Sequence, residues 1–264
     1  IVGQIDQAGS ESDFVSVADT PRVTFAKHPW SIGGGGATDV NEAIESVCSQ
    51  RLKEISDVFS GTGRTSADDV LVAPMAAFAR MSVAKNDVLP LVEGDQVRDW
   101  EIAPRDAILT PYTDVGLKQL DAMPEAARWL WPSRTVLGNR ATFGNVTYFE
   151  EGRAWWGWHQ INVSRLQYTH AITFAEIATH NHFVMDRGGK VFKQTAPVIK
   201  LPAGSGEDEH LGLLGLLNSS VACFWLQQVC HNKGRPGADV AGADERYEMR
   251  YAINASNVAE VPLC

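Results

Sequence analysis

The chain has 264 residues, of which 44% are hydrophobic and 21% charged, a composition typical of a globular protein. That length can bury a sizeable core in one large domain or two small ones, and it excludes a miniprotein that depends on staples. The longest apolar stretch, residues 211–217, is too short to span a bilayer, and no signal-peptide pattern follows Ile1. We therefore expect a cytoplasmic protein with no membrane partner.

The net charge of the chain indicates what kind of nucleic-acid binding it can support. The formal net charge is −9, which argues against non-specific binding of DNA or RNA by the isolated chain. Residues 101–200 nevertheless carry 11 basic and 9 acidic side chains, so any site for a polyanion is expected in this middle third. The alternative is that the uneven charge is only a solvated surface.

The four cysteines, Cys48, Cys223, Cys230 and Cys264, contain no Cys-x-x-Cys pair. Their number is too low for a disulfide framework. The sequence therefore predicts reduced, buried thiols.

The first sixty residues are predicted to be a lead-in and a helical connector. Residues 1–19 are polar and acidic, and residues 22–25 are strand-like. Four glycines at positions 33–36 allow almost any backbone path, but no phosphate-loop Lys-Ser/Thr follows them, which favours a hinge or packing loop. Apolar residues then recur at helical spacing over 39–59. A linker at 60–66 is the expected boundary, which gives regions 1–60 and 61–264.

The remaining two hundred residues mix short strands with helices. Val-rich and Ile-rich runs bounded by Pro and Gly predict strands at 70–73, 87–92, 107–109, 145–149, 171–175 and 183–186. A helix interrupted at Pro124 is expected over 115–130, a hairpin turn at 187–190, and a buried helix near 209–229. Because no regular βαβ alternation is present, we predict an α+β fold with a strand-rich recognition domain.

Three short motifs bear on whether the chain has a cofactor, metal or catalytic site. Residues 59–63 match Phe-x-Gly-x-Gly, but cofactor binding needs a strand before and a helix after, so a helix-ending turn is favoured. His180 and His182 lack carboxylate or cysteine ligands at metal spacing, which favours a structural role and no metal site. No Gly-x-Ser-x-Gly nucleophile elbow occurs, so no catalytic residue is assigned.

A tryptophan cluster is the most unusual feature of the sequence. Trp155, Trp156 and Trp158 lie within four residues, beside Arg153 and His159. Core packing is the first interpretation. In an extended segment, however, Trp155 faces away from the other two, and an exposed ring can stack on or wedge between bases.

Four segments together resemble a known family. They are 28–36 (HPWSIGGGG), 158–160 (WHQ), 172–178 (ITFAEIA) and 213–220 (LLGLLNSS). Their order resembles the C-terminal part of adenine-specific DNA methyltransferases of BREX phage-resistance systems, with type IIG restriction–modification enzymes as wider relatives. The resemblance covers about residues 20–264 and implies a DNA target-recognition region.

The family's catalytic Asn/Asp-Pro-Pro-Tyr/Phe motif is missing, since Thr110-Pro111-Tyr112 lacks the second proline. In that chemistry a flipped adenine is held by those groups. The resemblance therefore implies a recognition fragment that is inactive alone, with S-adenosylmethionine used by the parent enzyme and a separate catalytic domain as partner.

The resemblance implies double-stranded DNA as the partner, with other defence proteins as further candidates. Local charge and chemistry select nine contact residues: Arg134, Arg140, Arg153, Trp155, Trp156, His159, Arg165, Lys190 and Lys193. One alternative is a protein-interaction module that docks partners of a defence complex, which the negative charge and the tryptophans also fit. Another is an independent hydrolase with an unrecognised site.

Overall fold

The structure is a computed structural model that describes residues 2–13, 15–26, 30, 36–234 and 249–264. The described α-helices are α1 (Ala37–Val47), α2 (Leu52–Ile55), α3 (Asp68–Leu71), α4 (Met75–Arg80), α5 (Pro124–Leu130), α6 (Arg134–Gly138), α7 (Tyr148–Glu151), α8 (Glu207–Leu217), α9 (Ser220–Val229) and α10 (Ala255–Ala259). Short 3-10 helices are Val2–Gln4, Arg22–Ala26, Lys85–Asp87, Gly94–Gln96, Leu120–Ala122, Trp131–Ser133 and Val163–Leu166.

The strands are short. They are β1 (Gln50–Arg51), β2 (Asp57–Phe59), β3 (Gly63–Arg64), β4 (Val72–Ala73), β5 (Val88–Val92), β6 (Val97–Arg98), β7 (Glu101–Ile102), β8 (Asp106–Leu109), β9 (Tyr112–Thr113), β10 (Gly116–Leu117), β11 (Gln160–Ile161), β12 (Ala171–Thr173), β13 (Ile177–Ala178), β14 (Val184–Asp186), β15 (Val191–Phe192), β16 (Val198–Lys200), β17 (His231–Gly234), β18 (Arg250–Ala252) and β19 (Pro262–Leu263). Helices and strands are interspersed, which confirms the predicted α+β fold.

One half of the core lies between an antiparallel sheet of order β14-β12-β16-β2 and helices α8, α9 and α10. Apolar residues of these elements, such as Ile172, Leu217 and Trp225, are almost fully buried. The burial of this apolar surface is the main force that holds the helices on the sheet.

The predicted helix near 209–229 is buried, as expected, but it is two helices. The amide nitrogen and the carbonyl of Phe183 bond the Asn218 side chain at 3.0 and 2.9 Å, which draws that residue out of the helix. The Ser219 hydroxyl then accepts a hydrogen bond from Ala222 N and begins α9.

The other half of the core is built on a mixed sheet of order β15-β5-β8-β4, in which β15 runs parallel to β5. Helices α4 and α5 pack on this sheet together with Trp155 and Trp158. A third, smaller cluster joins the two sheets, because Val92 and Phe192 of one contact Ala171 of the other.

Several predicted elements differ from the structure. The helix expected over 39–59 ends at Val47, because Cys48 is extended and β1 pairs with β19. The turn at 187–190 has the expected positive φ at Gly188 and Gly189 but closes no hairpin, since β14 pairs with β12 and β15 with β5.

Three other regions also differ. Residues 115–123 hold β10 and a 3-10 turn, so the helix begins only at Pro124. Residues 145–149 form no strand, since Thr147 caps the short helix α7 through a capping box with Glu150. The segment 22–25 is a 3-10 turn, and most of the motif 28–36 lies outside the described residues.

The division at residue 60 stays a prediction. Strand pairing crosses that position, because β2 lies beside β16, and Leu52 is buried with residues of α8 and α9. The prediction of four reduced thiols was wrong for one pair: Cys48 and Cys264 form a disulfide, with Cα atoms 4.5 Å apart. Sequence spacing could not show that pairing, because 216 positions separate the two cysteines. In the described part of the chain, no helix is both long and apolar enough to cross a bilayer.

Candidate nucleic-acid interface

The tryptophan cluster belongs mainly to the core. Trp158 is 2% exposed and its indole donates to Leu109 O at 2.9 Å, while Trp155 is 7% exposed. Trp156 is half-buried and donates to Lys118 O at 2.9 Å. The segment turns at 154–157 instead of extending, so all three rings reach the same hydrophobic cluster. Trp155 was selected from sequence as a DNA contact; its ring is covered in this structure, so it is not carried into the proposed interface.

Arg140 is also a structural residue. It is 8% exposed, and its guanidinium donates four hydrogen bonds to backbone carbonyls. The acceptors are Leu137 at 2.9 Å, Thr65 at 2.6 Å, Trp155 at 2.7 Å and Gly157 at 2.8 Å. Burial lowers the pKa of this guanidinium from its ordinary value. Arg140 was selected from sequence as a DNA contact; its donors face buried carbonyls in this structure, so it is not carried into the proposed interface.

The segment 155–157, whose carbonyls are bonded by Arg140, leads to His159. His159 lines an open cleft of about 430 Å³. Nδ1 of His159 is hydrogen-bonded to the Tyr148 hydroxyl at 3.0 Å, and the Phe143 ring centroid lies 4.7 Å from the imidazole. We call this space the His159 cleft; its other walls include Tyr112, Arg153 and Gln160.

Arg153 forms one wall of the His159 cleft. It donates to the carbonyls of Trp158 (3.0 Å) and His159, and its guanidinium lies 4.4 Å from the Tyr148 ring centroid. The carbonyl bonds fix the path of the chain on both sides of His159. Arg153 thus contributes positive charge to the cleft while it holds the backbone.

The electrostatic environment of the His159 cleft is positive. Partial burial, and then the charges of three nearby guanidinium groups, lower the pKa of the His159 imidazole. These groups belong to Arg153, Arg140 and Arg64. The imidazole is therefore neutral at neutral pH, and it can accept or donate a hydrogen bond at a base edge.

Arg64 and Gln160 are interface candidates that the sequence reasoning missed. They are exposed and lie directly opposite each other in the antiparallel pair of β3 and β11, so their side chains share one face. Arg64 Nη2 also donates to Gln194 Oε1 at 3.2 Å. Gln160 follows His159 in the chain, but only the pairing of β3 with β11 brings Arg64 next to them, and no spacing rule contains that information.

Gly63 lets these two strands approach. A Cβ at this position would lie 2.5 Å from Gln160 O and 3.1 Å from Trp158 Cε3. A Cβ at Gly61 would similarly lie 2.9 Å from Gln194 N. The glycines of Phe59–Gly63 are thus packed against the chain itself, and β3 follows them instead of a helix, so they do not fit S-adenosylmethionine.

Arg134 is fully accessible at the start of α6. Its guanidinium lies 5.4 Å from the Trp131 ring centroid and 5.2 Å from that of Phe149. Trp131 is 61% exposed. This arrangement presents a cation and an aromatic ring together on the surface.

The remaining selected cations are less available. Lys190 forms an ion pair with the buried carboxylate of Asp186. Lys193 lies 2.6 Å from Glu93 and 3.1 Å from Asp68; burial opposes its charge, but these carboxylates raise its pKa. Their charges are thus largely neutralised by neighbouring acids.

Arg165 is half-buried, with its guanidinium 4.2 Å from the Phe59 ring centroid and a hydrogen bond to Gly61 O at 3.3 Å. The ring centroids of His180 and His182 lie 3.9 Å apart, with the rings tilted by 45° to each other. Among the described residues, no three His, Cys, Asp or Glu side chains gather as a metal-ligand set.

Comparison with known proteins defines the class. No family model matches the chain. Over 268 aligned residues, however, the chain is 43% identical to a curated adenine-specific methyltransferase, across all of this chain and 22% of that enzyme. The family resemblance seen in the sequence is thereby confirmed: the chain is related to a segment of the adenine-specific methyltransferases. The matched relative is PglX of Streptomyces coelicolor, and the chain spans about a fifth of its length.

The chain shares its fold with a solved restriction–modification enzyme. The type IIL restriction–modification enzyme MmeI, solved in complex with DNA, superposes with a TM-score of 0.50 and 13% identity, over 81% of this chain and 25% of that one. The type IIG restriction endonuclease BpuSI gives a TM-score of 0.49 and 11% identity, over 87% and 26%.

Proposed function

We propose that this chain is the DNA target-recognition region of an adenine-specific methyltransferase of a phage-defence system. The observation that carries the proposal is the 43% identity along the whole chain to a segment of PglX. The parent enzyme would act in the cytoplasm and would bind S-adenosylmethionine on a separate catalytic domain. The glycines at 61 and 63 of this chain pack against its own backbone and leave no space for that cofactor between them.

The proposed DNA-binding surface consists of Arg134, the His159 cleft and the Arg64–Gln160 pair. We call it the recognition face. It supplies cations for phosphates, and an imidazole and an amide for base edges. The fold neighbour MmeI, solved with DNA, supports a duplex as the ligand. Among the nine residues selected from sequence, Arg134, Arg153 and His159 belong to this recognition face.

Fluorescence anisotropy with a labelled duplex, over a series of salt concentrations, tests the proposal. Because binding to phosphates releases counterions, the affinity falls steeply with salt. Arg134→Glu reverses an accessible charge on the recognition face and is expected to lower the salt slope by about 1. Lys233→Glu is the matched control, since Lys233 is exposed on β17 beside the other half of the core.

For the proposal to hold, Arg134→Glu must lose more DNA affinity than Lys233→Glu. Equal loss of affinity in both would show only a general charge effect. Absence of salt-dependent binding by the unmodified chain and by the enzyme that contains it would overturn the proposal.

One observation favours the protein-interaction alternative. Trp131 and Val136 are 61% and 66% exposed, an apolar surface that a protein partner can also cover. Because such a contact is mainly apolar, its affinity would change little with salt, so the same titration with a candidate partner protein distinguishes the two functions.

A further inference from the structure

A short loop, residues 141–147, holds one aromatic ring out into solvent. Ala141 and Thr147 form a β-bridge that closes the loop. Within it, Thr142 N donates to Val146 O at 2.8 Å, and Asn145 N donates to Thr142 O at 3.1 Å. These bonds satisfy the loop's backbone from within and fix its shape.

The ring at the tip is Phe143, which is 77% exposed. Its one described ring contact is with His159, at 4.7 Å and an interplanar angle of 56°. Single exposed apolar side chains are common and need no explanation by themselves. Phe143, however, also lines the His159 cleft, where polar groups of Arg153, His159 and Gln160 stand among apolar residues.

The chemistry of these walls selects the ligand. Gln160 offers an amide, His159 a neutral imidazole and Tyr112 a phenol, all of which can bond the edge of a planar heterocycle. The segment 140–149 contains no acidic residue, and three guanidinium groups raise the local potential. An aromatic platform, hydrogen-bonding groups and positive potential together fit a nucleobase attached to phosphates.

We propose that the His159 cleft holds one unstacked base of the bound DNA, with the Phe143 ring stacked on that base. This inference rests on the proposed function and names the site within the recognition face that contacts the base. Because the loop is fixed by its own hydrogen bonds, the ring is already in place before DNA arrives. Little ordering entropy is then lost on binding.

The test uses two duplexes that differ by one bulged adenine. A bulged base is already unpaired, so a protein that stacks on an unstacked base binds this duplex more tightly than the fully paired one. Phe143→Ala is expected to weaken binding to the bulged duplex about tenfold and to abolish the preference. Phe143→Trp keeps an aromatic face and is expected to preserve the preference.

Trp100→Ala is the matched control. Trp100 is 68% exposed at a turn, as Phe143 is, but it lies between Asp99 and Glu101, whose charges repel phosphates. Its removal should leave both affinities unchanged. Because Phe143 is so exposed, its replacement should also leave the urea midpoint within error, which checks that the variant folds.

The outcomes separate the two proposals. If the unmodified chain binds both duplexes and Phe143→Ala binds each of them as tightly as the unmodified chain does, the base-stacking inference is overturned while DNA recognition stands. If the unmodified chain binds neither duplex, the proposed function itself fails.

Discussion

Replacement of Arg140 by methionine removes a buried guanidinium that donates four hydrogen bonds to carbonyls. Methionine fills a similar volume but donates to none of these carbonyls, of which Thr65 O keeps a hydrogen bond from His159 N at 3.3 Å. Each unsatisfied buried group costs about 1–3 kcal/mol, although part of that loss is relieved by local movement and water. Measured losses from breaking one buried charged network lie at about 3–5 kcal/mol, and we expect about 4 kcal/mol here.

Urea unfolding followed by tryptophan emission measures this change, because Trp155 and Trp158 are buried beside the Arg140 network. Arg134→Met is the control: its exposed guanidinium contributes only stacking on Trp131 and Phe149, worth about 0.5–1 kcal/mol. If Arg140→Met is insoluble, Arg140→Lys keeps the charge and part of the bonding and should lose about half as much. A loss below about 1 kcal/mol for Arg140→Met would refute the structural role.

Three further outcomes are expected. Gly63→Ala places a Cβ 2.5 Å from Gln160 O and should lower the unfolding free energy by about 1–3 kcal/mol, whereas Gly212→Ala, in α8 with open space around it, should raise it by about 0.5–1 kcal/mol; equal effects would contradict the close approach of β3 to β11. Burial raises the pKa of Cys230 to about 11, so about one Cys230 thiol in a thousand is ionised at pH 8. A thiol reagent should therefore modify the half-buried Cys223 first. Equal rates of modification of the two cysteines, measured by peptide mapping, would count against this burial. Because the pKa of His159 is lowered on folding, the unfolded chain binds more protons near pH 6, and the stability from this group is complete above about 6.5 and is lost as the pH falls through the folded-state pKa. On acidification from about pH 8 to about pH 5, the unmodified chain should therefore lose more stability than His159→Gln, and an equal or smaller loss would show that His159 is not held neutral.

The parts of the fold that local patterns determine could be predicted from the sequence. Val88–Val92 and Asp106–Leu109 form strands where short apolar runs end at Pro or Gly, and the helix at Pro124 begins where proline fits the first turn. The break between α8 and α9 also has a local signal, because Asn218-Ser219 is a capping sequence inside an apolar run. The apolar residues on both sides of this capping sequence nevertheless favour one continuous helix, which is why a single helix was predicted.

Long-range contacts account for what sequence reasoning missed. The burial of Arg140 could not be predicted, because its acceptors come from separate segments: Thr65, Leu137, Trp155 and Gly157. An arginine in a basic region has the same local pattern whether it faces solvent or carbonyls.

The tryptophans show the same limit. Strict alternation places Trp155 opposite Trp156 only in an extended chain, and the turn at 154–157 removes that condition. The exposure of Phe143 likewise depends on how its loop closes. Charge along the sequence therefore points to the region of the proposed site, whereas the side chains exposed in that region depend on the fold.

Photo-crosslinking tests most directly whether DNA lies on the recognition face. The enzyme that contains this chain would be bound to duplexes with photoreactive bases, irradiated, digested and mapped by mass spectrometry. We predict crosslinks to peptides from residues 131–161 and to the peptide of Arg64. Crosslinks confined to α8, α9 and the segment 249–264, or none within this chain, would contradict the account.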